Sequence, residues 1–141
     1  MTERKREAYI RKEITEYISK DGCVFDTEEE CIAWENKLNI IDSEFQKIET
    51  NAAAEGFMNI DGCEHCDDAK YDWYFPKNKH EIEILAQYYG DKEAFRYCEP
   101  GSWICVEDNG ESTWITTLND GIEYAASLLA RFGYEVTIKK I

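Results

Sequence analysis

Trp103-Ile104-Cys105-Val106-Glu107-Asp108-Asn109-Gly110-Glu111-Ser112-Thr113-Trp114-Ile115-Thr116 is the stretch that decides the fold. Two runs rich in β-branched and aromatic residues, Trp103–Val106 and Thr113–Thr116, flank Asp108-Asn109-Gly110. Asn-Gly between such runs is the strongest short-range signal for a β-hairpin, because both residues tolerate the positive φ that a tight reversal needs. An antiparallel sheet therefore anchors the C-terminal half.

Working outward, Pro100-Gly101 is a turn before the hairpin, and residues 94–98 fit either a strand or a helical turn. Residues 79–89 read as a short helix with Ile82, Leu85, Ala86 and Tyr89 inward and Gly90 as its C-cap. Upstream, Phe57–Ile60 and Tyr71–Phe75 read as a second hairpin turned over residues 61–66, with Pro76 ending the strand. Downstream, Asn119 or Asp120 caps a helix through Arg131 with Ile122, Ala125, Ala126, Leu129 and Phe132 on its apolar side. Gly133 closes it, and Tyr134–Ile141 alternates as a final strand.

The N-terminal part has helical periodicity. Residues 3–19 place Ile10, Ile14, Tyr17 and Ile18 on one helical face, and Asp21-Gly22 ends that element. Thr27 with Glu30 forms a capping-box pattern, and Glu28–Glu30 complement the positive start of a helix. From there Cys31, Trp34, Leu38, Ile41, Phe45, Ile48 and Ala52 recur at alternating spacings of three and four, a heptad seam that predicts one long helix from 28 to about 54. The seam serves either packing within the chain or self-association through Trp34, Leu38, Ile41, Phe45 and Ile48, and the two are compatible. The expected fold class is α+β: an N-terminal helical hairpin with one long heptad-patterned helix over residues 1–55, then a mixed α+β domain with antiparallel hairpins and two helices over 56–141.

Charge is the other dominant signal. The 141 residues carry a net charge of −14. Residues 1–20 are net basic. Residues 21–66 hold twelve acids against only Lys37 and Lys47. With 43% apolar and 13% aromatic residues, the chain is too apolar for a disordered acidic tail, so the acid sits on a folded surface. Such a field repels nucleic acid and anionic membrane and attracts basic protein surfaces. No apolar signal region follows the first residues and no apolar run reaches the ~20 residues of a spanning helix. A cytoplasmic location is expected, where six cysteines stand as thiols or metal ligands.

Cys63-x-x-Cys66 in a turn has the spacing of a first zinc-ligand pair. Cys98 and Cys105 are the candidates for the second pair, with His65 and His80 as substitutes, giving one structural zinc and a zinc-stapled adaptor as one reading. The alternative is that Cys98 and Cys105 are small core residues. Cys63-Glu64-His65-Cys66 also has the form of a redox dithiol, but Asp67-Asp68 beside it opposes thiolate formation. No nucleophile elbow, phosphate-binding glycine loop or HExxH occurs, so no enzyme activity is expected.

The segment Ser19-Lys20-Asp21-Gly22-Cys23-Val24-Phe25-Asp26-Thr27-Glu28-Glu29-Glu30-Cys31-Ile32-Ala33-Trp34-Glu35 resembles a module of small phage and prophage proteins of Gram-positive bacteria, in which an extended piece leads into an acidic capped helix. In size and charge the chain is similar to phage-encoded anti-defence inhibitors, including anti-CRISPR proteins. That resemblance implies a non-enzymatic inhibitor that occupies a nucleic-acid-binding surface with arrayed carboxylates. The expected partner is a basic nucleic-acid-binding protein, with no direct contact to nucleic acid or membrane and a homodimer as a further possibility. The acids of the second helix off the seam, Glu28, Glu29, Glu35, Asp42, Glu44 and Glu49, are the candidate contact residues. The alternative from a different class is a small-molecule binding protein or nucleotide sponge with an aromatic pocket in the C-terminal half, where Arg96, Arg131 and a few lysines supply positive charge.

Overall fold

The Asn-Gly hairpin forms. In the computed structural model, which describes residues 3, 13–57 and 69–141, strands β5 (Ile104–Asp108) and β6 (Thr113–Thr117) pair antiparallel with Cys105 opposite Thr116 and Glu107 opposite Trp114. The reversal is a four-residue loop. The Asn109 side chain accepts from the amides of Glu111 and Ser112 (2.9 and 2.8 Å), and Gly110 takes φ +87°, a conformation that favours glycine.

The chain divides into two compact units, residues 1–39 and 40–141. The division lies inside helix α1 (Glu28–Phe45), upstream of the 55/56 boundary read from the sequence.

In the first unit, β1 (Tyr17–Ile18) and β2 (Val24–Phe25) make a two-stranded hairpin with Tyr17 opposite Phe25. This corrects the expected helix over 3–19: residues 13–16 are irregular and 17–18 are extended, while 4–12 lie outside the described residues. Ile14, Thr15, Tyr17 and Ile18 are β-formers rather than strong helix formers. The turn Ser19–Cys23, closed by Ser19 N to Cys23 O (2.9 Å) with Gly22 at φ +88°, fixes the reversal. Over the described residues, the element that precedes α1 is a β-hairpin rather than a helix. Thr27 caps that helix as expected, its hydroxyl accepting from Glu30 N (3.3 Å).

The second correction is length: α1 ends at Phe45, not near residue 54. Lys47 N to Glu44 O and Ile48 N to Phe45 O (both 3.1 Å) tighten its end. Ile48 then enters the core of the second unit, and β3 (Glu49–Thr50) pairs with Phe75 and Tyr74. Asn51 starts a short 3-10 turn over Ala52–Ala54. A helix continued to 54 would forfeit that strand pairing, so tertiary contacts override the periodicity.

The second unit is a four-stranded antiparallel sheet in the order β3-β4-β5-β6, where β4 is Lys70–Phe75. Residues 58–68, the rest of the expected upstream hairpin, lie outside the described residues. Cross-strand partners share a face and neighbours alternate. One face therefore presents Tyr74, Ile104, Val106 and Ile115, and α2 (Lys79–Tyr89) packs there through Ile82, Ile84 and Leu85. Leu85, Ile104 and Val106 are 0% exposed, each stabilising the unit by roughly 1.5–3 kcal/mol of burial. The opposite face carries Tyr71, Trp73, Phe75, Cys105 and Trp114, with the Trp103 ring against Phe75 at 5.4 Å.

Helix α2 has the expected limits. Asn78 caps it by accepting from Glu81 N (2.9 Å), Glu81 accepts back from Lys77 N (2.7 Å), and Gly90 ends it at φ +67°. Helix α3 (Leu118–Ala130) begins earlier than expected: its cap is Thr117, accepting from Asp120 N (3.0 Å), rather than Asn119 or Asp120. Thr117 is also the last residue of β6, so strand passes into helix without a loop. The expected final strand is not formed among the described residues: 134–141 pair with none of the described strands.

Candidate functional site

The acidic surface is best built from the Ser19–Cys23 turn. Ser19 is buried, and its hydroxyl donates to the Asp21 carboxylate while accepting from Cys23 N (3.2 Å). Trp34, nearly two helical turns into α1, donates its Nε1–H to both Asp21 oxygens (3.1 and 3.0 Å). The Ser19 hydroxyl first, and Trp34 next, hold Asp21 ionised with its pKa lowered to about 2. Phe25 packs on Trp34 with ring centroids 6.2 Å apart. The hairpin and the first turns of α1 thus share one polar-aromatic node.

Around that node lie Asp26, Glu28, Glu29 and Glu30, all exposed. The cations among the described residues of this unit are occupied locally. Lys20 donates through Nζ to Asn39 (2.6 Å) and through its amide to Glu35 (3.0 Å). The Lys37 ammonium sits 5.4 Å from the Trp34 ring centroid.

The six acids expected to form one surface do not behave as one set. Glu28 and Glu29 are exposed at the helix start. Glu35 accepts from Lys20. Asp42, Glu44 and Glu49 belong to the second unit, where Glu44 pairs with Lys47 (3.1 Å) and approaches His80 Nε2 at 3.8 Å. Glu49 is on β3, not on a helix. Asp21, Asp26 and Glu30 complete the first group. The run Glu28-Glu29-Glu30 already announced Glu30, which the sequence reading spent on the cap alone, whereas Asp21 was legible only as a turn residue.

The seam residues divide similarly. Trp34 belongs to the Asp21 node and Leu38 is half-buried. In the second unit Ile41 and Ile48 are buried, and Phe45 stacks flat on Tyr88 (centroids 3.6 Å, interplanar angle 1°) and meets Tyr74 at 5.6 Å.

Of the four expected metal ligands, only Cys98 and Cys105 are among the described residues. Cys98 packs against the core cluster on the Ile104/Val106 face, and Cys105 lies on the opposite face beside Trp73. Cys63, Cys66 and His65 lie outside the described residues. Among the described residues no three His, Cys, Asp or Glu side chains are placed to hold a metal. The thiols of Cys23, Cys31 and Cys98 are all pushed up, chiefly by desolvation and then by neighbouring acids, which keeps them protonated and poorly nucleophilic.

A second feature is a groove of about 420 Å³ between α2 and the loop over residues 91–99. Ile82, Ala86 and Phe95 form its floor, and Lys79, Lys92 and Arg96 stand at its rim with Glu83, Glu93 and Glu99. Arg96 lies 3.6 Å from Glu93 and 5.3 Å from the Tyr97 ring centroid.

No protein-family model matches the chain, and no curated protein and no solved structure is significantly similar to it. Among the described residues no helix is long and apolar enough to cross a membrane.

Proposed function

We propose that this chain is a non-enzymatic inhibitor that binds a basic, nucleic-acid-handling protein through the carboxylates of its first unit. The observation that carries this reading is the exposed group Asp26, Glu28, Glu29 and Glu30 beside the permanently ionised Asp21, with the neighbouring lysines committed to local contacts. Duplex DNA presents one charge per ~1.7 Å of axis, and a Lys/Arg groove built for that density accepts closely spaced carboxylates in its place. Electrostatic steering speeds the encounter. By its resemblance to anti-CRISPR proteins, the target class is a CRISPR or other defence nuclease in a host cytoplasm.

The test is capture from host lysate, followed by competition. Duplex DNA or RNA should displace the chain from its target, and affinity should fall between about 50 and 200 mM salt. Glu28→Gln/Glu29→Gln/Glu30→Gln should weaken binding by tenfold or more while leaving the far-ultraviolet dichroism unchanged. Binding indifferent to salt and to nucleic acid would sink the proposal.

The groove of the second unit supports a second reading. An apolar floor rimmed by three cations and three carboxylates suits a small molecule that carries both an apolar ring and charged groups, such as a nucleotide, and about 420 Å³ falls within the usual range for such sites. A thermal-shift panel of nucleotides, with Arg96→Ala as control, separates the two readings: a nucleotide that stabilises the native chain but not the variant favours the groove.

A further inference from the structure

We propose that residues 134–141 of one copy add as a strand to the open edge of β6 in a second copy, making a strand-exchanged homodimer. Two observations independent of the acidic surface meet here. The first is a segment patterned as a strand and left without one. Tyr134, Val136 and Ile138 alternate with Glu135, Thr137 and Lys139, yet the segment pairs with no strand among the described residues and all three apolar residues are exposed, Ile138 by 58%. Backbone groups and apolar side chains of this kind ordinarily find partners in a folded protein.

The second observation is an unguarded edge. In the sheet order β6 lies at the end, and it reads Thr-Trp-Ile-Thr-Thr, all β-formers with no proline or charge to block pairing. The bonds Asn109 N to Ser112 O (3.3 Å) and Leu118 N to Trp103 O (2.9 Å) bracket the β5–β6 ladder. By the alternation of an antiparallel pair, Trp114 and Thr116 bond to β5, and Thr113 and Ile115 turn their backbone groups outward. The opposite edge, β3, is only two residues long. Donor segment and acceptor edge are on the same chain, so two copies satisfy each other by one symmetric exchange.

Area and charge also fit a second copy. Leu118, Tyr124, Leu128 and Leu129 of α3, Phe132 (73% exposed) just after it and Trp114 (62%) of β6 are exposed as well. With the three tail residues they expose on the order of 1,000 Å², taking ~200 Å² for a large side chain, against the ~800 Å² per partner of a stable interface. The tail carries Lys139 and Lys140 against Glu135, which reduces without cancelling the repulsion between two chains of net charge −14. Tyr134, Val136 and Ile138 then fall on the Trp114 side of the extended sheet, and the polar residues between them on the other.

Light scattering after size exclusion, on the full chain at tens of micromolar, should give twice the 16.5 kDa chain mass. Because two bodies of −14 repel, the dimer should persist or strengthen as salt rises, the opposite of the partner binding proposed above. Trp114→Lys (edge blocked, tail intact) and Ile138→Lys (tail blocked, edge intact) should each be monomeric. An equimolar mixture should recover a dimer, since one tail and one edge remain compatible. Hydrogen exchange on the unmodified chain supplies a readout that needs no variant: the outward amides of Thr113 and Ile115 and those of 135–139 should lose protection together on dilution, while those of Trp114 and Thr116, bonded to β5, and of Tyr134, bonded to Leu129 O (3.1 Å), should not. A monomer at low and high salt, a dimer that survives both variants, or protection of 135–139 that ignores dilution overturns the proposal, the last by showing that the tail pairs within its own chain.

Discussion

Helices α2 and α3 belong to the same unit and carry the same sequence signals, a polar cap before an amphipathic run and a glycine after it. Their fates differ. α2 buries Ile82, Ile84 and Leu85 against the sheet, whereas α3, the more apolar of the two, buries only Gly121. Periodicity specifies which side of a helix is apolar but not what that side meets. α2 lies across the face bearing Ile104 and Val106, while Leu118, Leu128 and Leu129 of α3 and Phe132 after it remain exposed.

The contrast can be broken most forcefully at the core. Leu85→Ala should cost about 3 kcal/mol in urea unfolding, because its side chain is fully enclosed and its loss leaves a cavity. Leu129→Ala in α3, followed at dilutions where the chain is monomeric, should cost under about 1 kcal/mol. Equal losses would mean that α3 is as well packed as α2.

Alkaline titration probes the same core from another side. The Tyr74 and Tyr89 hydroxyls share a hydrogen bond at 2.5 Å. Burial is the main cause that pushes Tyr74 from 10.0 up to about 12 and Tyr89 upward as well. A raised pKa in the folded state gives stability that is complete below the unfolded value and is lost as pH climbs. Stability should therefore fall from about pH 10, with a Tyr74 share of roughly 3 kcal/mol gone near pH 12. Absorbance of the tyrosinate band, run beside unfolding curves, checks this.

Smaller effects sharpen the comparison at the helix starts. Asn78→Ala and Thr117→Ala each remove a cap and should cost about 1 kcal/mol, but only the second should also disturb the end of β6. The smallest effect belongs to Asp21. Its lowered pKa gives stability present above about pH 3.8 and lost as pH falls toward about 2. Asp21→Asn should flatten the acid dependence of Trp34 fluorescence, with little change at neutral pH.

The sequence revealed most where local chemistry and tertiary demand agree. Asn109-Gly110, Asn78 with Gly90, and Thr27 were all legible because each satisfies its own backbone. The α+β class followed from them. The long helix was misread because Ile48 continues a heptad and also fits the sheet core, and strand pairing at Glu49–Thr50 prevailed. The first helix was misread because four β-formers in residues 13–18 were counted by position rather than by propensity. Of the acidic group, Glu28 and Glu29 were legible as a charge run. The separation of Glu35 and Glu44 from it was not, since their partners are a backbone amide fifteen residues away and the side chains of Lys47 and His80.

The two faces of the sheet also sort their chromophores. Trp73, Trp103 and Trp114 sit on the side away from the core, and the late-ionising Tyr74 and Tyr89 sit within it. Indole emission thus reports the outer face of this sheet together with the Trp34 node, and the late-ionising fraction of the phenol absorbance, beyond that of the exposed tyrosines, reports the interior. A single unlabelled sample can report docking and unfolding as distinct signals.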